Sequence, residues 1–407
     1  MSHKSIQFHV LEEVVAKMGR TFVTKDVSED PRMIGAHPDL NRHHLYHSFV
    51  GRALSEDSDI LGIVELRKNT SGGRGSRWEK NGLVQSIASA AGKLGTAVPN
   101  NEDEHTGIGP QYKGDSAFAA RMRRHQSWYR ANVLHLHYGK GPTSNAATYY
   151  GNMLTANDAA AGRNFLTPEI AQTARDRVAQ GSGAVEPFRL FHNMLSSQPM
   201  CFNLFGPLAN DLALAHRLLS PIVAEDVGEV TRVALEWAPE PANAYLGDRT
   251  AFDAFIEYRT TDGRLCALGI ETKLTESFSA NEYDGDGYRR WMRVADAPWR
   301  PDAVSVHAIQ HNQLWRDHLL SVALRHQPNA PYATTRLMLV RHPEDRDCGQ
   351  VVSGYRKLLR DNDESLIDMP LDRLVEIWTS VVGDGPLHDW IKEFHLRYLE
   401  LEKSQCR

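Results

Sequence analysis

The stretch AFDAFIEYRTTDGRLCALGIETKLTE, residues 251–276, decides how this chain folds. It reads as two strands, AFDAFIEYR (251–259) and LCALGIETKL (265–274), joined by a turn containing Asp262-Gly263. An Asp-Gly pair between alternating apolar runs is a strong hairpin signal. Loop length then sets the register. A two-residue loop pairs Asp253 with Thr272 and points Asp253 away from Glu271 and Lys273, because residues directly opposite share a face. A three-residue loop, Thr261-Asp262-Gly263 with Gly263 left-handed, pairs Thr260 with Arg264 and sets Asp253 opposite Glu271. The apolar residues choose between the two. Phe252, Ala254, Ile256 and Tyr258 alternate on one strand, and Cys266, Leu268 and Ile270 on the other. Only the three-residue register, or a longer one of the same parity, gathers both sets on a common face. The expectation is that Asp253, Glu271 and Lys273 then stand together on the opposite face.

Two carboxylates on adjacent strands have Cβ atoms roughly 5 Å apart and repel each other unless a cation lies between them. Mg²⁺ suits such a pair, since it takes one or two carboxylates and keeps positions for water and phosphate oxygens; Mn²⁺ is the alternative. The backbone carbonyl of Thr272 can add an oxygen. Lys273 can orient or help deprotonate an attacking water, or neutralise charge in the transition state. An acid two residues before a lysine is a weak signal by itself. In this chain, however, Lys273 is the only lysine so preceded, and the first strand of its hairpin carries an acid in register. The competing reading is a solvated polar face with Glu271 and Lys273 as surface charges.

Outward from the hairpin, PFRLFHNMLSSQPMCFNLFGPLA (187–209) reads as a buried helix and VTRVALEWA (230–238) as a preceding strand. HNQLWRDHLLSVALRH (311–326) reads as a helix, TTRLMLVRH (334–342) as a strand, and VVSGYRKLLRD (351–361) as a helix. Helix, three antiparallel strands, helix, strand is a mixed α/β (α+β) order and not a doubly wound one. Upstream, LTPEIAQTARDRVAQ (166–180) opens with Thr167-Pro168-Glu169, an N-cap followed by proline in the first turn.

The chain has 407 residues, so two domains, or one with a large extension, are expected. The polar stretch VPNNEDEHTGIGPQYKGD (98–115) reads as a linker and places the boundary near residue 110. Residues 1–110 would form a helical N-terminal region, from the spacing of Ile6, Val10, Val14 and Met18 and of Leu83, Ile87 and Ala91. Residues 111–407 would form the domain that holds the hairpin. A net charge of −5 argues against a chain that coats nucleic acid indiscriminately, though not against a local basic groove. Cys201, Cys266, Cys348 and Cys406 form no CxxC pair, so a zinc ribbon or disulfide framework is not expected and a reducing, cytoplasmic setting is. No signal peptide and no membrane-spanning apolar stretch are read, nor a GxSxG elbow or phosphate-binding P-loop.

The spacing of Asp253 and Glu271-Thr272-Lys273 between two helices resembles the PD-(D/E)XK restriction-endonuclease-like core. The phrases SSQPMCFNLFGPL, LGDRTAFDAF, GIETKLTESFS and NQLWRDHLL are similar to those of a bacterial restriction-endonuclease group, over residues 113–407. The resemblance implies a mixed sheet flanked by helices, with Asp253 and Glu271 holding the metal and Lys273 catalytic. It further implies an endonuclease acting on DNA in restriction or phage defence. Phe252 stands where the family's name-giving proline would be, at the most variable point of the motif. Many of these nucleases place a glutamine near the site where Gln313 opens the next helix; the alternative is a surface amide. Glu236 on the preceding strand could add a metal ligand or face solvent. Ser197 and Gln198 could contact phosphate or satisfy buried backbone groups.

Arg121, Arg123, Arg124, Trp128 and Arg130, and likewise Arg289, Arg290, Trp291 and Arg293, mix cations with an aromatic ring. Such runs suit backbone phosphates and unstacked bases, although a charge run is more often a solvated face. His43, His44 and His47 have helical i, i+4 spacing but lack a fourth zinc ligand. Two rival functions remain: a catalytically inactive module binding DNA or a partner on the same sheet, and a nuclease of RNA or single strands. A homodimer or a protein partner through residues 1–110 is a further expectation.

Overall fold

The computed structural model describes residues 107–405 apart from 142–147, 182–184, 280–282, 304–307 and 309. Before residue 107 it describes Val14, 21–23, 27–28, 31, 33, 50, 63–67 and 77–80. The chain falls into two compact units, Met1–Asn100 and Asn101–Arg407. The expectation of a helical N-terminal region is incomplete. Its described residues include a three-stranded antiparallel sheet of β1 (Thr21–Val23), β2 (Ile63–Arg67) and β3 (Arg77–Lys80), in the order β1-β3-β2. The Leu83–Ala91 pattern and His43, His44 and His47 lie outside the described residues.

The second unit opens with α1 (Ala117–Asn132), the hairpin β4 (Tyr138–Lys140) and β5 (Tyr149–Leu154), and the short α2 (Ala156–Ala160). Next come α3 (Pro168–Ala179), α4 (Pro187–His192), α5 (Ser197–Asn210) and α6 (Leu212–Leu219). Thr167 caps α3 from Oγ1 to the Ile170 N–H, as its Thr-Pro-Glu opening predicts. The sheet follows: β6 (Val227–Trp237), β7 (Phe252–Thr260) and β8 (Leu265–Lys273). Then come α7 (Asp286–Met292), α8 (Asn312–His326), β9 (Thr334–Arg341) and α9 (Arg346–Arg356). β10 (Leu366–Pro370), α10 (Leu371–Val382) and α11 (Pro386–Tyr398) close the fold. No described helix is long and apolar enough to cross a membrane.

The five-stranded sheet has the order β10-β9-β8-β7-β6. β6, β7 and β8 pair antiparallel; β9 and β10 add in parallel, each after a helix. This is the mixed order expected from the sequence. The register is that of the three-residue loop. Ala254 pairs with Ile270 and Tyr258 with Cys266, the Thr260 N–H donates to the Arg264 carbonyl at 2.9 Å, and Gly263 turns the chain at φ +87°. A left-handed residue there suits glycine, which has no Cβ to clash.

Both faces of the sheet are covered. Ala254, Ile256, Tyr258, Cys266, Leu268 and Ile270 pack with α3, α5, α6, α10 and α11. Phe255, Ala267, Leu337 and Leu339 pack with α7, α8 and α9 on the other side. β8 is buried along nearly its whole length, as a strand covered on both faces must be. One expectation fails here. Phe252 does not join Ala254, Ile256 and Tyr258; it belongs to the cluster with Phe255 on the α8 side. Its ring fills the space left by Gly269, where an added Cβ would lie 2.4 Å from the Phe252 ring. Trp237 stacks on Phe255 at 3.9 Å and lies parallel to Phe252 at 6.3 Å. The aromatic stack outweighs strict alternation at the end of the strand.

This packing yields a prediction. In Gly269→Ala the new methyl must displace the Phe252 ring, which the stack holds in place. The expected cost is about 1–3 kcal/mol, read as a lower melting temperature, whereas Ala267→Gly, also in a buried strand, should not disturb Phe252. A Gly269→Ala protein as stable as the parent would show that the ring is not confined.

Candidate metal-dependent nuclease site

The site forms where the β7–β8 ladder ends. Thr260 and Arg264 face each other across the turn, with bonds in both directions between their backbone groups and the Thr260 hydroxyl, so alternate donors of β8 face β7 from there onward. The last ladder pair is Ala254–Ile270. The next donor, the Thr272 N–H, goes instead to Asp253 Oδ2 at 2.8 Å, and the Thr272 hydroxyl donates to the same oxygen at 2.7 Å. The Asp253 carboxylate thus takes the place of a ladder carbonyl. It reaches the site from the splayed strand end, not by the simple face alternation that the register suggested.

Glu271 and Lys273 sit on the α8 side, 5% and 6% exposed, which excludes the solvated-face reading. The Lys273 ammonium lies 2.9 Å from Glu271 Oε1 and donates to Gln313 Oε1 at 3.2 Å. Gln313, in the first turn of α8, donates from Nε2 to Glu271 Oε1 at 2.7 Å. The Ser279 N–H donates to Gln313 Oε1 at 2.9 Å. These bonds fix the amide's orientation, because a flipped amide would set its NH₂ against an ammonium and an N–H. Phe278 covers the ammonium, with Nζ 5.1 Å from the ring centroid. Burial alone would push the Lys273 pKa down. The charge and hydrogen bond of Glu271, with Asp253 and Glu276, outweigh it and hold the group above its ordinary range.

Further acids converge on this point. Glu236, at the end of β6, accepts from Gln198 Nε2 at 2.7 Å, and Gln198 Oε1 accepts from the Glu186 N–H at 3.2 Å. Glu236 has φ +50°, a conformation that costs a side-chain-bearing residue roughly 1–2 kcal/mol. Arg177 holds it by donating to the carbonyls of Leu235 and Glu236 at 2.7 and 2.6 Å. Burial, and then the charge of Glu271, raise the Glu236 pKa. Burial raises that of Asp253 well above the carboxylate range, with Glu271 and Glu236 adding to it.

Asp317 was missed in the sequence. It lies four residues after Gln313, hence on the same face of α8, is 4% exposed, and its Oδ2 has no hydrogen-bond partner. Burial and then Glu271 push its pKa well up. Its i, i+4 relation to Gln313 gives no contrast on a helix buried on most sides. Glu276 was missed too. It accepts from the Ser197 N–H at 2.7 Å, the Ser197 hydroxyl at 3.1 Å and Arg189 at 3.2 Å. Ser197, expected as a phosphate contact, is therefore bound to Glu276.

Among the described residues no group of three or more His, Cys, Asp or Glu is arranged as a ready ligand set for a metal ion. The donor chemistry nonetheless fits a divalent cation of the Mg²⁺ type, which needs only one or two carboxylates beside water and substrate oxygens. Asp253 and Glu271 supply the pair, and the unpartnered Asp317 Oδ2 is a further buried acceptor on the α8 side.

The two basic runs are engaged within the chain. Arg121 pairs with Glu344, and Arg123 with Asp115. Arg124 donates to the Ser404 carbonyl at 3.0 Å. Trp128 stacks on His125 at 5.4 Å, and Arg130 is fully buried against the carbonyls of Gly151, Leu136 and Gly107. Arg289 pairs with Asp284 at 2.6 Å, Arg290 donates to the Ala244 carbonyl at 3.0 Å, and Trp291 is buried with Nε1 on the Tyr245 carbonyl at 2.9 Å. Arg121 and Arg289 remain half-exposed with N–H donors to spare, whereas Arg130 and Trp291 are buried.

A family model described as PD-(D/E)XK nuclease superfamily matches residues 113–400, well over half of the chain. The chain belongs to the PD-(D/E)XK nuclease superfamily. Comparisons with curated proteins and with solved structures returned no match. Members of the superfamily are generally nucleases that use divalent metals.

The raised native pKa of Asp317 has a consequence for stability. The folded protein keeps a proton that the unfolded chain releases near pH 4, so the contribution of this group is lost as pH rises through the native pKa. In EDTA at pH 7, Asp317→Asn should be more stable than the parent by on the order of 1 kcal/mol, and the gap should close at pH 4. Thermal denaturation at both pH values checks it; a less stable variant at pH 7 would mean that the carboxylate is needed structurally.

Proposed function

We propose that this protein is a Mg²⁺-dependent endonuclease that hydrolyses phosphodiester bonds of DNA in a restriction or phage-defence role in the cytoplasm, with Mn²⁺ as an alternative ion. The observation that carries the reading is the buried Glu271–Lys273–Gln313 triangle beside Asp253. An ammonium and several carboxylates concentrated at a strand end are expensive to bury, and an anionic substrate with a divalent cation is the pairing that balances them. Membership of a nuclease superfamily supports the same reading. The Met1–Asn100 unit would serve target choice, partner contact or pairing with a second copy.

In this mechanism Asp253, Glu271 and the Thr272 carbonyl would hold the metal. The cation, when bound, supplies Lewis-acid polarisation of the phosphate and a more acidic water. Lys273 acts as a cation. Held in its ammonium form by Glu271, it orients the attacking water and offsets the charge that grows on the phosphoryl oxygens. Gln313 fixes the direction of both Glu271 and Lys273. Glu236 keeps the α5 side of the site acidic and is itself oriented by Gln198.

Purified protein incubated with plasmid and Mg²⁺ tests the reading. Cleavage should fall about 10²- to 10⁴-fold in Lys273→Ala and Asp253→Ala, and about 10- to 100-fold in Gln313→Ala, which removes only an orienting group. Parallel reactions on single-stranded DNA and RNA identify the polymer. If Lys273→Ala and Asp253→Ala cut as well as the parent, the site assignment is wrong.

A further inference from the structure

Tyr283 stands out beside this site because an exposed aromatic ring there has been given a rigid support. Tyr112, Leu212 and Tyr283 are the exposed large hydrophobic side chains among the described residues, and Tyr283 is 37% exposed. Its backbone is clamped at both ends by one side chain. The Tyr283 N–H donates to Asn312 Oδ1 at 3.1 Å, and Asn312 Nδ2 donates to the Tyr283 carbonyl at 2.9 Å. Asn312 is fully buried and immediately precedes Gln313, whose amide contacts Glu271 and Lys273.

The ring itself rests on a cation. The Arg316 guanidinium carbon lies 4.0 Å from the Tyr283 centroid, and Arg316 is pinned below by Asp248 Oδ2 and Thr250 Oγ1, both at 2.6 Å. Tyr288 donates to the same Asp248 oxygen at 2.6 Å. The result is a layered stack of an anion, a guanidinium and the ring of a residue that stays 37% exposed. A surface tyrosine without a role has no need of a two-point backbone clamp and a half-buried charge pair beneath it.

We propose that Tyr283 is a stacking platform for an unpaired or unstacked nucleobase next to the phosphate that is cut. The inference rests on the nuclease reading of the site and narrows its substrate. Every nucleobase offers a π-face, so a fixed aromatic ring binds single strands with little regard to sequence. The cation behind the ring strengthens the assembly. Tyr283 is held through Asn312 at the end of α8 that carries Gln313, so Tyr283 and the site share one end of that helix. A paired, stacked base inside an undistorted duplex presents no free face to such a ring.

The test measures binding without cleavage, in full-length protein carrying Lys273→Ala and with EDTA present. Fluorescence anisotropy gives Kd for single-stranded DNA, single-stranded RNA and a blunt duplex. Tyr283→Leu should weaken both single strands about 5- to 150-fold, Tyr283→Phe and Tyr283→Trp should stay within about twofold of the parent, and the melting temperature should not change. A 2-aminopurine beside the cut position should lose its quenching in Tyr283→Leu. The tighter of the two single strands names the natural polymer. Unchanged single-strand affinity in Tyr283→Leu overturns the proposal, as does an equal loss on the duplex, which would indicate a contact to backbone or to a protein partner. Cleavage by the Lys273 protein in Mg²⁺ is scored separately. If nothing is cut but the Leu variant still loses single strands, the nuclease reading falls and the platform stands.

Discussion

Gly263 turns the chain at φ +87°, and the rest of the central sheet takes its register from that residue. The three-residue loop sets Thr260 against Arg264 and carries the same parity to Ala254 and Ile270, each six residues further along its strand. A slip of one residue in β7 would send Ile256 and Tyr258 to the α8 side and bring Phe255 to the α5 side, while Leu268 and Ile270 kept their face. Both faces are packed against helices, so neither set has an alternative home. Glu271 and Lys273 are fixed by the same constraint, since they occupy the odd, α8-facing positions of β8, whereas Asp253 comes in from the strand end.

That constraint places charge where burial is least favourable. Glu236, Glu271, Lys273 and Asp317 are all buried, and only the Glu271–Lys273 contact is an ion pair. Burial and mutual repulsion push Asp253, Glu236 and Asp317 toward their neutral forms. The site therefore opposes folding at neutral pH in the metal-free protein, and the large cores on either side of the sheet offset it. Such a local conflict, in an otherwise consistent fold, is what a functional site looks like energetically. Gln313 contributes by polarity rather than charge. One amide donates to the carboxylate and accepts from the ammonium, so the pair is held without adding to the net charge.

What could be read in the chain, and what could not, separates along the line between local and distant causes. The turn, the register and the acid-x-lysine pair are local: Asp262-Gly263 and the alternation of Ile256, Tyr258, Leu268 and Ile270 contain them. Gln313 was legible through the resemblance to the superfamily, at the start of the helix read after the two strands. Phe252 was not, because its position depends on a slot at Gly269 and a stack with Trp237, neither of which periodicity reports. The arginines of α1 were read as a solvated or phosphate-facing run. Their partners, Glu344 and the Ser404 carbonyl, lie more than two hundred residues away, and Arg130 reaches backbone carbonyls that have no sequence signature. Asp317 failed for a different reason. On a helix buried nearly all round, a lone acid four residues after a glutamine carries no periodic contrast.

The strand end also explains how Asp253 differs from its partners. Within an antiparallel ladder each inward N–H has a backbone acceptor, and a side-chain carboxylate has no opening. At Thr272 the ladder has already ended, so the N–H that faces β7 is free to take Asp253 Oδ2, and the Thr272 hydroxyl joins it. Both bonds fall on one oxygen, and each contributes on the order of 1 kcal/mol net. Glu271, by contrast, is tied to an ammonium and an amide near the end of a strand buried on both sides. One carboxylate is thus locked by charge and the other is held by two neutral hydrogen bonds at the point where the sheet opens. A splayed hairpin end is the place in this fold where a rigid acid and a more loosely tethered one can be set side by side.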